Sequence, residues 1–112
     1  MKIYHNPRCR KSRETLELIE NEGKEVEIVK YLETIPSKDE LINLINLLGI
    51  KPIDLVRKNE AIWKEHYKGK ALSDSEIVNV MLSNPKLIER PIVVSGNKAV
   101  LGRPPQNVLS LF

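Results

Sequence analysis

The chain has one cysteine, Cys9, among 112 residues. An internal disulfide is therefore impossible, which leaves inert packing, metal ligation or a reactive thiol. Long apolar runs are missing as well. The longest near-apolar stretch, residues 41–50, is broken by Asn43, Asn46 and Gly49, and it falls short of the ~20 residues that span a bilayer. The first residues, Met1-Lys2-Ile3-Tyr4-His5-Asn6-Pro7, contain no apolar signal region. A cytoplasmic protein with no membrane association is the expectation. There is no repeat, low-complexity tract or linker, so residues 1–112 are expected to form a single domain. Only His5 and His66 could join Cys9 as soft ligands, and the two lie far apart in sequence; no metal site is expected. A net charge of +3 is too small to argue for a nucleic-acid partner.

What is present is more informative. Residues 1–56 carry nine Lys/Arg and ten Asp/Glu, whereas residues 57–112 carry nine and five. Within the first half Arg8, Arg10, Lys11 and Arg13 surround Cys9, with no acid before Glu14. Residues 2–5 read as a short strand stopped by Asn6-Pro7. From about residue 10 to 21 the pattern is helical, with Thr15, Leu16, Leu18 and Ile19 on one face and Gly23 as terminator. Residues 25–32 read as a second strand, which completes a βαβ unit with a parallel pair. The middle is helical: Ser37-Lys38-Asp39-Glu40 and Ser73-Asp74-Ser75-Glu76 are capping boxes, and Pro52 opens a short helix ending near Arg57. Strand pattern returns at residues 91–95 and 98–101, joined by Gly96-Asn97 as a hairpin turn. Residues 105–111 can form a last helix. The expected fold is α/β and thioredoxin-like: a mixed four-stranded sheet, βαβ then ββα. A helical insertion at about 37–88 separates the second and third strands.

Cys9 falls in the loop between the first strand and the first helix. Backbone N–H groups and the positive end of the helix dipole converge there. A thiol in that place with four nearby cations is expected to be nucleophilic and to sit at an anion site. Ser12 completes a C-x-x-S spacing. Its hydroxyl could serve the thiolate or a bound oxyanion, or simply cap the helix. Any disulfide made by Cys9 must then be with another molecule. His5, four residues before the thiol, could orient or deprotonate it, or could merely end the strand. Arg57, Arg90 and Arg103 each stand at the end of an element. Singly they read as surface residues, but the fold could gather them near the Cys9 loop, where guanidinium forks suit tetrahedral oxyanions. Pro91, at the start of a strand, is a candidate for a cis bond.

Residues 4–16, Tyr4-His5-Asn6-Pro7-Arg8-Cys9-Arg10-Lys11-Ser12-Arg13-Glu14-Thr15-Leu16, closely resemble the active-site segment of the glutaredoxin-dependent arsenate reductase (ArsC) family. Tyr31-Leu32-Glu33-Thr34-Ile35-Pro36, Leu55-Val56-Arg57-Lys58-Asn59, Ile88-Glu89-Arg90-Pro91-Ile92-Val93-Val94 and Gly102-Arg103-Pro104-Pro105 are similar to later blocks of that family, in the same order. The resemblance implies a thioredoxin-like fold with a helical insertion. It implies Cys9 as nucleophile, His5 and Ser12 beside it, Arg57, Arg90 and Arg103 as the oxyanion-binding set, and Pro91 as the fold's cis-proline. Arsenate would be the substrate, no cofactor would be bound, glutathione would be a co-substrate and glutaredoxin the resolving partner. Between the thiol and Ser12 this chain carries Arg10-Lys11, where characterised reductases carry small neutral residues. Two further readings stay open: a monothiol glutathione-linked reductase of another substrate, and a regulator of the same family that binds RNA polymerase.

Overall fold

A computed structural model describes all residues, Met1–Phe112. It divides into two compact units, one made of Met1–Thr34 with Arg90–Phe112, the other of Ile35–Glu89. The sequence reading placed a helical insertion at about 37–88, and the second unit occupies that stretch.

The first unit is a mixed sheet in the order β2-β1-β3-β4, formed by β1 (Lys2–His5), β2 (Glu27–Lys30), β3 (Ile92–Ser95) and β4 (Lys98–Leu101). β1 pairs in parallel with β2, with Ile3 opposite Ile28. It pairs antiparallel with β3, with Ile3 opposite Val93. β1 is buried over Ile3, Tyr4 and His5, as a central strand must be, while the edge strand β2 is mostly exposed. β2 is shorter than the expected 25–32. The chain turns at its end, where the N–H groups of Glu33 and Thr34 both donate to Lys30 O, at 3.0 and 2.9 Å. β3 and β4 form the expected hairpin. Gly96 has φ 60° and no non-glycine residue has positive φ, so the Gly96-Asn97 turn is type II′.

Helix α1 (Arg10–Asn21) starts at Cys9, whose extended backbone (φ −91°, ψ 122°) is that of an N-cap. It ends in a Schellman motif: Gly23, at φ 70°, donates to Glu20 O and Lys24 to Ile19 O. Ile19 of α1, Ile3, Val93 and Val108 are fully buried and make the apolar centre of this unit. Val108 comes from Pro105–Leu111, which is a 3₁₀ helix.

The second unit contains α2 (Lys38–Leu48), α3 (Ala61–His66) and α4 (Asp74–Ser83), with short 3₁₀ turns at Pro52–Leu55 and Pro85–Leu87. Ser73 and Glu76 make the reciprocal capping box that the sequence announces, and Ser37 Oγ accepts from Glu40 N. α2 packs on α4, and Leu41, Leu44 and Ile45 of α2 and Ile77, Val78 and Met81 of α4 are buried. An antiparallel bridge joins Val56 to Ile88, flanked by Arg57 N to Leu87 O and Glu89 N to Leu55 O, each 2.8 Å.

One glycine ties the first unit together near Cys9. Gly102 N donates to Pro91 O at 2.9 Å, and the buried Thr15 hydroxyl, on α1, lies 3.3 Å from Gly102 O and 2.8 Å from Lys11 O. A Cβ on Gly102 would collide with Thr15 Oγ1 and lie 2.8 Å from Pro91 Cγ and 2.9 Å from Thr15 Cγ2. Gly102→Ala must therefore push α1 or the Pro91 ring away. Overpacking of this kind costs about 1–3 kcal/mol, and the urea midpoint should fall accordingly. An unchanged midpoint would mean that the contact is looser than described.

Candidate active site

The loop after β1 folds back on itself through Asn6. Asn6 O accepts the Cys9 N–H at 3.0 Å, and Asn6 Oδ1 accepts the Arg8 N–H at 3.0 Å, an Asx-turn arrangement. Asn6 N donates to Ser12 Oγ at 3.1 Å. Three hydrogen bonds from one residue thus fix the path into α1. Sequence reasoning took Asn6-Pro7 only as a strand terminator, although an asparagine before proline is also a signal for such turns.

Ser12 Oγ is fully buried and sits 2.6 Å from His5 Nδ1. Ser12 and His5 hydrogen-bond each other, a contact that the sequence reading did not foresee, and with Asn6 N on Ser12 Oγ they hold the loop that carries Cys9. Burial holds His5 below its ordinary value of 6.5, Lys30 and Arg13 push it the same way, and Glu20 opposes them. The ring is neutral at pH 7. With Nε2 protonated, Ser12 donates to Nδ1; with Nδ1 protonated, Ser12 accepts, and its own proton is available to an anion.

This has a consequence for stability. In the unfolded chain His5 takes a proton near pH 6.5, whereas the folded chain resists it. Below that pH the unfolded state binds more protons, so stability falls as pH drops and levels off beneath the folded value. Urea midpoints measured between about pH 7.5 and about pH 5 should decline for the wild type and decline less for His5→Asn. Equal slopes would remove His5 as the cause.

Cys9 is buried, with 7% of its surface exposed. The cation that reaches its sulfur is not one of the four sequence neighbours. Arg103 Nη1 lies 3.9 Å from Cys9 Sγ and 3.4 Å from the carbonyl oxygen of Arg90. Arg10 instead bridges Glu14 at 2.8 Å on the exposed face of α1, and Arg13 donates to Pro7 O at 3.0 Å. Arg10, one of two bulky residues between thiol and serine, is thereby directed into solvent.

Arg90 and Arg103 each precede a cis peptide bond, to Pro91 and Pro104 respectively; only the first was singled out from the sequence. Arg90 Nε and Nη1 are buried and have no hydrogen-bond partner in the protein. Donors in that condition cost stability unless a ligand supplies acceptors. Arg57 lies in the other unit. Its Nη1 meets Glu60 Oε1 at 2.6 Å and its Nε lies 3.7 Å from Glu89 Oε1. His66 is exposed beside Glu65. No helix is long and apolar enough to cross a membrane.

A mixed β2-β1-β3-β4 sheet with a lone cysteine at the N-cap position of α1, an arginine on its sulfur and a cis-proline before β3 defines a monothiol member of the thioredoxin-like class. The sequence matches the ArsC family over residues 4–111. It is 47% identical over 113 residues to the Escherichia coli K12 protein YfgD, of uncharacterized function, with 99% of this chain and 95% of that one covered. It is 44% identical over 111 residues to an arsenate reductase of Escherichia coli K12, with 98% and 79% covered. The solved structure of arsenate reductase from Vibrio cholerae superposes with a TM-score of 0.94 at 47% identity, covering 100% of this chain and 98% of that one. The chain belongs to the ArsC family.

Proposed function

We propose that the chain is a thiol oxidoreductase of the arsenate reductase type, with Cys9 as the nucleophile. One observation carries this reading: Arg103 stands at the Cys9 sulfur and contacts the backbone of Arg90, whose buried guanidinium nitrogens have no protein partner. The Arg103 fork at the thiol offers donors to a tetrahedral oxyanion. Arg90, whose backbone Arg103 touches, brings donors that no protein group uses. Such donors stabilise charge that develops on the anion. Three convergent requirements, a nucleophile, oxyanion donors and a loop locked by His5, Ser12 and Asn6, favour an enzyme over a protein-docking surface. By family resemblance Arg57 would be a third oxyanion ligand; its Nη1 is held by Glu60.

The reaction runs as follows. Cys9 sulfur bonds to arsenic(V) and one arsenate oxygen leaves as water. The thiol of glutathione bonds to arsenic and expels a second water. A glutaredoxin thiolate then attacks the glutathione sulfur. The arsenic–sulfur electron pair stays on arsenic, which becomes arsenic(III), and a glutathione–glutaredoxin disulfide departs. One water hydrolyses the remaining bond, freeing arsenite and the Cys9 thiol. The sum is arsenate plus two thiols giving arsenite, one disulfide and water. With a single cysteine the chain cannot supply the second thiol itself. The need for reduced glutathione agrees with a cytoplasmic setting.

Arsenate-dependent thiol oxidation tests the reading. With glutathione and glutaredoxin present, the wild type should form one disulfide per arsenate consumed. If thiol loss does not exceed that with Cys9→Ser, the reading fails.

A further inference from the structure

Arg103 reaches the Cys9 sulfur from a segment poor in backbone donors. The chain runs from Leu101, the last residue of β4, through Gly102 and Arg103 into Pro104 and Pro105. Neither proline has an N–H, so neither can tie the segment by donating. Arg103 is exposed, and a long side chain in water resists being held in one geometry because it loses rotamer entropy. Its guanidinium lies 3.9 Å from Cys9 Sγ, and keeping it there requires a fixed backbone beneath it.

Asn107 supplies that fixation. Its Nδ2 lies 3.0 Å from Leu101 O and 3.2 Å from Arg103 O. An amide nitrogen carries two protons, one for each carbonyl. The backbone N–H of Asn107 donates to Pro104 O at 3.0 Å. One residue thus holds carbonyls on both sides of Gly102. The next residue, Val108, is fully buried with Ile3, Ile19 and Val93, so the 3₁₀ helix that bears Asn107 is anchored in the core. Gly102 itself is tied through its N–H to Pro91 O. The Thr15 hydroxyl near Gly102 O has a single proton and a closer acceptor in Lys11 O, so it holds Gly102 less firmly. Without the Asn107 amide, the Leu101 and Arg103 carbonyls would turn to water and the Arg103 backbone could pivot about Gly102. We propose that Asn107 is a positioning residue that acts through Arg103: its amide fixes the backbone from which the guanidinium reaches the Cys9 sulfur and an anion bound there. The inference rests on Arg103 serving Cys9, as in the proposed function, but not on arsenate being the substrate.

The test compares alkylation of Cys9, on the full chain without arsenate, by iodoacetate and by iodoacetamide. In each reaction the Cys9 thiolate sulfur displaces iodide and forms a thioether. The reagents differ in charge, so the ratio of their rates reports the cation beside the sulfur and cancels changes in intrinsic reactivity. Arg103→Met should lower the iodoacetate-to-iodoacetamide ratio by about tenfold, as when a bond to a charged group is lost. Asn107→Leu keeps the shape of the side chain, removes both donors and should lower the ratio by about fivefold. In the Arg103→Met background the same change should move it by less than about 1.5-fold, because the group it positions is gone. Ser110→Ala is the control. It removes the Ser110 Oγ bond to Asn107 O on the same 3₁₀ helix and should leave the ratio within about 1.5-fold. An Asn107→Leu ratio equal to that of the wild type overturns the inference. So does an equal fall in Ser110→Ala, or an equal effect of Asn107→Leu with and without Arg103, either of which makes Asn107 merely structural. A wild-type ratio retained in Arg103→Met, or a wild type that neither reagent modifies, overturns the inference and the proposed function together.

Discussion

Arg90→Met is expected to lower kcat/KM for arsenate by about 100-fold, the usual loss when one oxyanion donor is removed, without lowering thermal stability. The two effects separate because they have different origins. Arg90 Nε and Nη1 are buried without protein partners, so the free protein bears the cost of desolvating them. Methionine keeps an unbranched stem of similar reach and removes those donors. The melting temperature should stay level or rise, as when unpaired buried polar groups give way to apolar ones. Arg10→Met is the control: Arg10 is 84% exposed and engaged with Glu14, and a surface pair of that kind contributes little. A loss in Arg90→Met no larger than in Arg10→Met would move the anion from Arg90 to the loop cations. A marked drop in melting temperature would make Arg90 a structural residue.

The second large effect belongs to Cys9 itself. Cys9→Ser should reduce turnover to that of a reaction without protein, and yet leave the chain as stable or more so. Cys9 occupies the N-cap of α1 and makes no side-chain cap hydrogen bond there. Serine is among the best residues for that position and gains up to about 1 kcal/mol from it. The thiol thus stands where a hydroxyl would cap the helix better, as the proposed role of Cys9 as nucleophile requires. Urea denaturation distinguishes the outcomes. A serine variant that is inactive and equally stable fits a nucleophile. One that loses about 2 kcal/mol or more would assign Cys9 to packing.

Much of this was legible in the sequence, because the signals were local. The capping box Ser73–Glu76, the glycine after α1 and the Gly96-Asn97 turn each act over a few residues, and each element lies where its signal put it. Cys9 at the head of α1 followed from the same short-range logic. The charge environment of the thiol did not. Counting neighbours pointed to Arg8, Arg10, Lys11 and Arg13, whereas the guanidinium at the sulfur is Arg103, ninety-four positions away. Only the sheet, by pairing β1 with β3 and β3 with β4, brings the segment after β4 to the loop after β1. Asn6 and Gly102 escaped notice for a related reason. Gly102 acts through a backbone hydrogen bond and close approach, which have no pattern in composition or periodicity, and Asn6 through an Asx turn whose only sequence signal is the proline after it. Arg57 is a third case: its two carboxylates, Glu60 and Glu89, are one near and one far in sequence.

Arsenic speciation after reaction measures directly whether Cys9 reduces an oxyanion with a borrowed thiol. Arsenate incubated with the wild-type chain, glutathione and glutaredoxin should yield arsenite in proportion to time and protein, and omission of either thiol source should stop it. Arsenite production no greater than with Cys9→Ser would contradict the central claim.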